Sequence, residues 1–147
     1  MEKIEQLFSI AIKKRDQGLL PETRQSLKTI LKNYPDHPKL VTVHMVLGGV
    51  LSDLGDYKES IYHFKKVVEE QPGSEMASLG IYLCLVELEQ YNEAIKEMER
   101  FLSAHRAELY RTTLLELIED LRNGYARDHE AVILWLARKN DVSIFDR

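Results

Sequence analysis

Residues 41–74 read VTVHMVLGGVLSDLGDYKESIYHFKKVVEEQPGS, and this stretch decides how the rest of the chain is read. Two helix-length segments flank a short break in which Gly55 and Tyr57 form a turn. Large apolar residues, Leu47, Phe64 and Val67, point inward from the two segments. Gly48 and Ser60 stand where the segments would cross closely, so a small residue is needed in each and the two should touch. Pro72 closes the unit, because proline removes a backbone donor and disfavours helix in the residue before it. The stretch predicts a helical hairpin.

The same pattern returns on either side. Moving on 34 residues gives the segment 75–108, with Ile81, Leu85, Tyr91, Ala94, Met98 and Phe101 in register. Upstream, the segment 4–37 places Leu7, Ile10, Ala11, Gly18, Leu20, Leu27, Ile30 and Pro35 in register. Pro38, Lys39 and Leu40 separate the first two units. A 34-residue helix–turn–helix unit of this kind resembles the tetratricopeptide repeat. Against that family's pattern, His44 replaces an aromatic residue and Leu51 a tyrosine. Tyr82 takes a small-residue position, and Arg106 sits where proline is usual. The resemblance implies an all-α fold, a right-handed α–α superhelix of about eight antiparallel helices forming one domain over residues 1–147. In such a solenoid each pair of helices contacts only its neighbours, and the terminal pairs need atypical faces.

Residues 109–140 lie beyond the third unit and still read as helical. Tyr110, Leu114, Leu117 and Leu121 fall on one face at alternating spacings of four and three. Asn123-Gly124 is a helix stop and turn. A last helix is expected from an N-cap at Asp128 to about Asn140, making a fourth, capping hairpin. It contains the run AVILWLA, Ala131 to Ala137, with the sole tryptophan. Val132, Trp135 and Leu136 are expected to close the core, so that Trp135→Ala would carry a core-sized cost. Ile133, Leu134 and Ala137 are left for a second surface, which could fold over the groove, pair with another subunit or receive a partner. Partial groove cover is the first expectation.

In tetratricopeptide proteins the first helix of each repeat lines a concave groove. By that resemblance the groove residues are Phe8, Ile12 and Arg15 in the first unit, Met45, Gly49 and Asp53 in the second, and Met76, Leu79, Leu83 and Glu87 in the third. One known use of such a groove is a lysine–asparagine–arginine clamp for a terminal carboxylate. Here Phe8 and Ile12 stand where the clamp needs lysine and asparagine, and Val46, Met76 and Gly80 occupy its other sites. A carboxylate would lose water there and gain no charged donor. The groove is instead apolar and methionine-bearing, a surface that adapts to apolar anchors of a partner. The same residues read equally as internal core.

Composition narrows the function classes. The chain has 147 residues, a net charge of −4, 44% apolar and 30% charged residues, as a globular chain would. The acidic balance argues against nucleic acid as main partner. Cys84 is the only cysteine, so no intrachain disulfide forms, which fits a reducing compartment. The N-terminus makes a poor signal peptide, and no run approaches the roughly 18 apolar residues of a membrane span. A cytoplasmic protein is the expectation. His37, His44, His63, His105 and His129 include no metal-binding i, i+4 pair, Cys84 reads as a buried inert thiol, and no glycine loop cradles phosphate. The sequence therefore predicts a non-catalytic adaptor or chaperone-like module, without cofactor or metal, that binds a protein or peptide as monomer or homodimer. The other readings are an immunity protein that blocks a toxin domain and a homodimeric structural protein.

Overall fold

The computed structural model describes residues 3–143. They form eight α-helices with no strand among the described residues: α1 (Lys3–Asp16), α2 (Leu20–Asn33), α3 (Leu40–Asp53), α4 (Tyr57–Glu70), α5 (Glu75–Glu87), α6 (Tyr91–Ala104), α7 (Tyr110–Arg122) and α8 (Glu130–Lys139). A single 3-10 turn, Arg127–His129, leads into α8. From α1 to α6 each helix packs against the next in the chain, and α6 then packs against α8.

That stacking explains two kinds of sequence. The helix α3 meets α2, α4 and α5, and α5 meets α3, α4 and α6, three neighbours each, so LVTVHMVLGGVLSD and EMASLGIYLCLVE are apolar nearly all round. The helix α4 buries one stripe, Ser60, Ile61, His63, Phe64 and Val67, and α6 likewise buries Ala94, Ile95, Met98, Phe101 and Leu102. Each hairpin turns on a residue in the left-handed region. Gly18, Gly55 and Gly124 do so at φ of 78°, 81° and 87°, while Glu89 takes the place at 59° without glycine's freedom. A left-handed residue at the turn is thus common to the three repeat hairpins and the capping hairpin.

Gly48 and Ser60 touch as expected: the Ser60 hydroxyl donates to the Gly48 carbonyl at 2.6 Å. The buried residues form two apolar clusters. One holds Ile4, Ala11, Leu27, Ile30, Val43, Leu47, Val50 and Leu51. The other begins at Ile61 on α4 and runs to Val142. Between them, along α3 and α4, lies a polar seam of Ser60, the Gly48 carbonyl, His44 and His63.

The C-terminal hairpin is fastened by polar bonds. Glu75 at the start of α5 accepts from the backbone N–H groups of Glu108 (2.9 Å) and Tyr110 (2.8 Å). Buried Asn140 accepts from the Ala107 N–H at 2.7 Å and donates to the Leu136 carbonyl at 2.8 Å. Lys139 donates to the carbonyls of Leu102 and Ser103, at 2.6 and 2.9 Å, and so satisfies the open end of α6.

Three expectations for this hairpin are corrected. Asp128 does not cap α8; His129 occupies the N-cap position, without a side-chain bond, after the 3-10 turn. Ile133 and Ala137 are fully buried rather than free for a second surface, and Leu134 is half-buried. Trp135 is 48% exposed, so the cost of truncating a core tryptophan does not apply to it. The reason is that α8 packs against α6 as well as α7, and the face that meets both runs Ile133, Leu136, Ala137, Asn140. Trp135 lies off that face, with the Lys139 ammonium 5.4 Å above its ring. The helix does not cover the groove, since no α8 residue lines it. Residues 144–147 of the tail lie outside the described residues.

Candidate functional site

A concave cavity of about 550 Å³ opens between α1, α3 and α5. It brings together Arg15, Met45, Gly49, Asp53, Met76, Leu79 and Leu83 of the expected groove. Met76 is 61% and Leu83 49% exposed, so these two are surface residues and not core. Met45 and Leu79 are half-buried: one flank packs on the core and the other lines the cavity. Phe8 lies apart, in a separate depression of about 460 Å³ with Ile4, Glu5, Lys39 and Thr42. Ile12 and Glu87 line neither hollow; Ile12 is half-buried and Glu87 exposed.

The floor is what the sequence reading missed. Phe64 comes up from α4 between α3 and α5, and its ring lies against two glycines. A Cβ on Gly48 would stand 2.8 Å from the ring, and one on Gly80 2.6 Å. Both distances are below any real carbon contact, so neither position admits a side chain unless the ring moves. Gly80 is a glycine because of Phe64, a signal visible only once both helices are placed around α4.

Gly49 is different. A Cβ there meets nothing within 4 Å, and the residue lies inside α3, where glycine costs about 1 kcal/mol relative to alanine. Packing does not ask for it. Gly49→Ala should therefore stabilise the isolated protein by about 0.5–1 kcal/mol in urea unfolding. A loss of stability instead would show that Gly49 serves the fold. As it stands, Gly49 is a notch that leaves the α3 backbone bare on the cavity wall.

On the opposite side of the α3–α4 hairpin a second cavity, of about 610 Å³, is lined by Lys28, Leu31, Leu40, His44, Glu59, Tyr62 and His63. The Nδ1 atoms of His44 and His63 are 2.9 Å apart. The ring centroids are 5.1 Å apart, which is that separation plus one ring radius at either end. The imidazoles therefore meet edge to edge in a head-on N–H···N bond. The Glu59 carboxylate lies 3.9 Å from His63 Nε2 and favours the tautomer protonated there, so His44 Nδ1–H donates and His63 Nδ1 accepts. Burial lowers the pKa of His44, with Lys66 adding to the effect. Burial, with the facing His44, lowers that of His63 to about 4. Glu59 itself is bound to Lys28 at 2.7 Å, which holds its carboxyl below the usual range. Lys28, Glu59, His63 and His44 thus form one connected polar row across this floor. His44, expected to replace an aromatic by bulk alone, is half of a polar pair.

Cys84 is buried as expected, its thiol 3.4 Å from the Ser60 hydroxyl. Among the described residues no three His, Cys, Asp or Glu side chains come together as a metal site, and no helix is long and apolar enough to cross a membrane.

Fold and groove together define an all-helical solenoid of the tetratricopeptide-repeat-like type. No family model and no curated protein sequence matches the chain. Solved structures of MamA share its fold. MamA 41-end from Desulfovibrio magneticus RS-1 superposes with a TM-score of 0.70 at 21% identity, over 95% of this chain and 78% of that one. A double mutant of MamA RS-1 gives 0.70 at 21% identity, over 96% of this chain and 79% of that one. MamA MSR-1 gives 0.67 at 18%, over 94% and 79%. Identities this low show a shared fold alone.

Proposed function

We propose that the chain is a non-catalytic protein-interaction module, of adaptor or chaperone type, that holds a polypeptide segment in its concave groove. The observation that carries this reading is the open apolar cavity, built by three successive first helices and rimmed by the exposed Met76 and Leu83. Large apolar side chains left in water around a concavity are the usual mark of a binding surface. Methionine is flexible and polarizable, so Met45 and Met76 can repack around different apolar anchors. The bare backbone at Gly49 admits close approach of a partner's chain.

The test is a selection of peptides from a phage-displayed dodecapeptide library, followed by fluorescence polarisation. Peptides enriched on the native protein should bind Met45→Glu/Leu79→Glu at least about 30-fold more weakly, the scale of one lost hot spot. Circular dichroism should show unchanged helicity, since both side chains are partly exposed. Equal binding to the double variant would move the interaction off this face.

A further inference from the structure

The groove is apolar along its walls and acidic along one rim. Asp53 ends α3 and lines the cavity; Glu87 ends α5, one turn beyond the lining residue Leu83. Both carboxylates are exposed. Among the described residues neither makes a hydrogen bond or an ion pair. Each sits at the C-terminal end of its helix, where the dipole disfavours negative charge, and the last turns of α3 and α5 carry no basic residue. The cation that lines the groove, Arg15, is engaged by Asp16 at 3.4 Å. One arginine against the three carboxylates of Asp16, Asp53 and Glu87 leaves a net negative charge among these residues.

We propose that the groove is selective for a cationic apolar segment: a partner polypeptide whose apolar anchors enter between Met45, Leu79 and Leu83 and whose neighbouring lysine or arginine lies over Asp53 and Glu87. This rests on the groove reading above and adds the partner's chemistry to it. The apolar contacts supply most of the affinity, and the rim charges supply choice of partner and rate of encounter. An acidic segment would meet two like charges at the rim. The paired cation requires no relocation of Arg15, and both carboxylates gain a partner while remaining at the edge of solvent. Rim pairs of this kind weaken as salt rises.

The same dodecapeptide library, selected at low salt, tests the charge rule. The enriched peptides should carry lysine or arginine beside large apolar residues. Their affinity should fall at least about 10-fold on Asp53→Lys/Glu87→Lys and should fall with added salt. The substitutions place cations at helix C-termini, so the variant should keep its helicity. Enriched peptides without cationic excess, or with equal affinity for the charge-reversed variant, would overturn the charge rule. If those peptides still lost affinity for Met45→Glu/Leu79→Glu, the groove reading would stand without it. Peptides indifferent to both variants would remove both.

Discussion

Phe64→Ala should lower the free energy of unfolding by about 3–5 kcal/mol, the cost of emptying a buried aromatic site. The ring is 5% exposed and lies between two helix backbones that have no side chain to collapse into the space. Gly48 and Gly80 flank it, so relaxation would require α3 and α5 themselves to move. The companion variant makes the test specific. Gly80→Ala should cost about 1–3 kcal/mol in the native protein by overpacking the ring. In the Phe64→Ala background the same change should be neutral or stabilising, because the obstruction is gone and alanine is the better helix former. Additive costs in that double-mutant cycle, read from urea unfolding, would refute the ring-between-glycines account.

Acid should weaken the protein through His63 before it acts on most carboxylates. The sign follows from proton binding. His63 titrates at about 4 in the folded chain, below its ordinary value of 6.5. Between those limits the unfolded chain holds more protons, so stability rises with pH there. The contribution is complete above pH 6.5 and disappears as pH falls through about 4. It amounts to roughly 3 kcal/mol over the window. The main cause is burial of the ring, and the facing His44 adds to it: once both rings are protonated, each presents a hydrogen to the other across 2.9 Å. The Glu59–Lys28 pair acts in the same direction but at lower pH, because the Glu59 carboxyl titrates below 4.5. His63→Phe keeps the ring's bulk and should make the pH dependence of unfolding above pH 4.5 shallower, leaving the smaller part that comes from burial of His44. An unchanged slope in that variant would assign the acid sensitivity elsewhere.

How much of this was legible depends on where the signal is written. The hairpins were legible because Gly48, Ser60, Gly55 and Pro72 are each dictated by local geometry that repeats along the chain. The groove walls followed from the same register, which placed Met45, Gly49, Met76, Leu79 and Leu83 on one side. The floor was not legible, since Gly80 is explained by Phe64, and that contact joins different helices. The His44–His63 bond was hidden for the same reason, its partners lying 19 residues apart. The last helix was misread because AVILWLA offers apolar side chains in every direction. Only the choice of two neighbours, α6 and α7, decides that Ile133 goes in and Trp135 stays out.

The polar seam between α3 and α4 has a mechanical consequence. The cavity's two main walls rest on different foundations: α3 supplies Val43, Leu47, Val50 and Leu51 to the first apolar cluster, whereas α5 belongs to the second. The helix α3 reaches the second cluster through the half-buried Val41 and Met45. Phe64, packed on α4 against the Gly48 and Gly80 backbones, is the side chain that stands between those walls. The width of the opening is thus set by one aromatic ring that belongs to neither wall. A smaller residue there would bring α3 and α5 together and narrow the cavity without touching any of its apolar anchors.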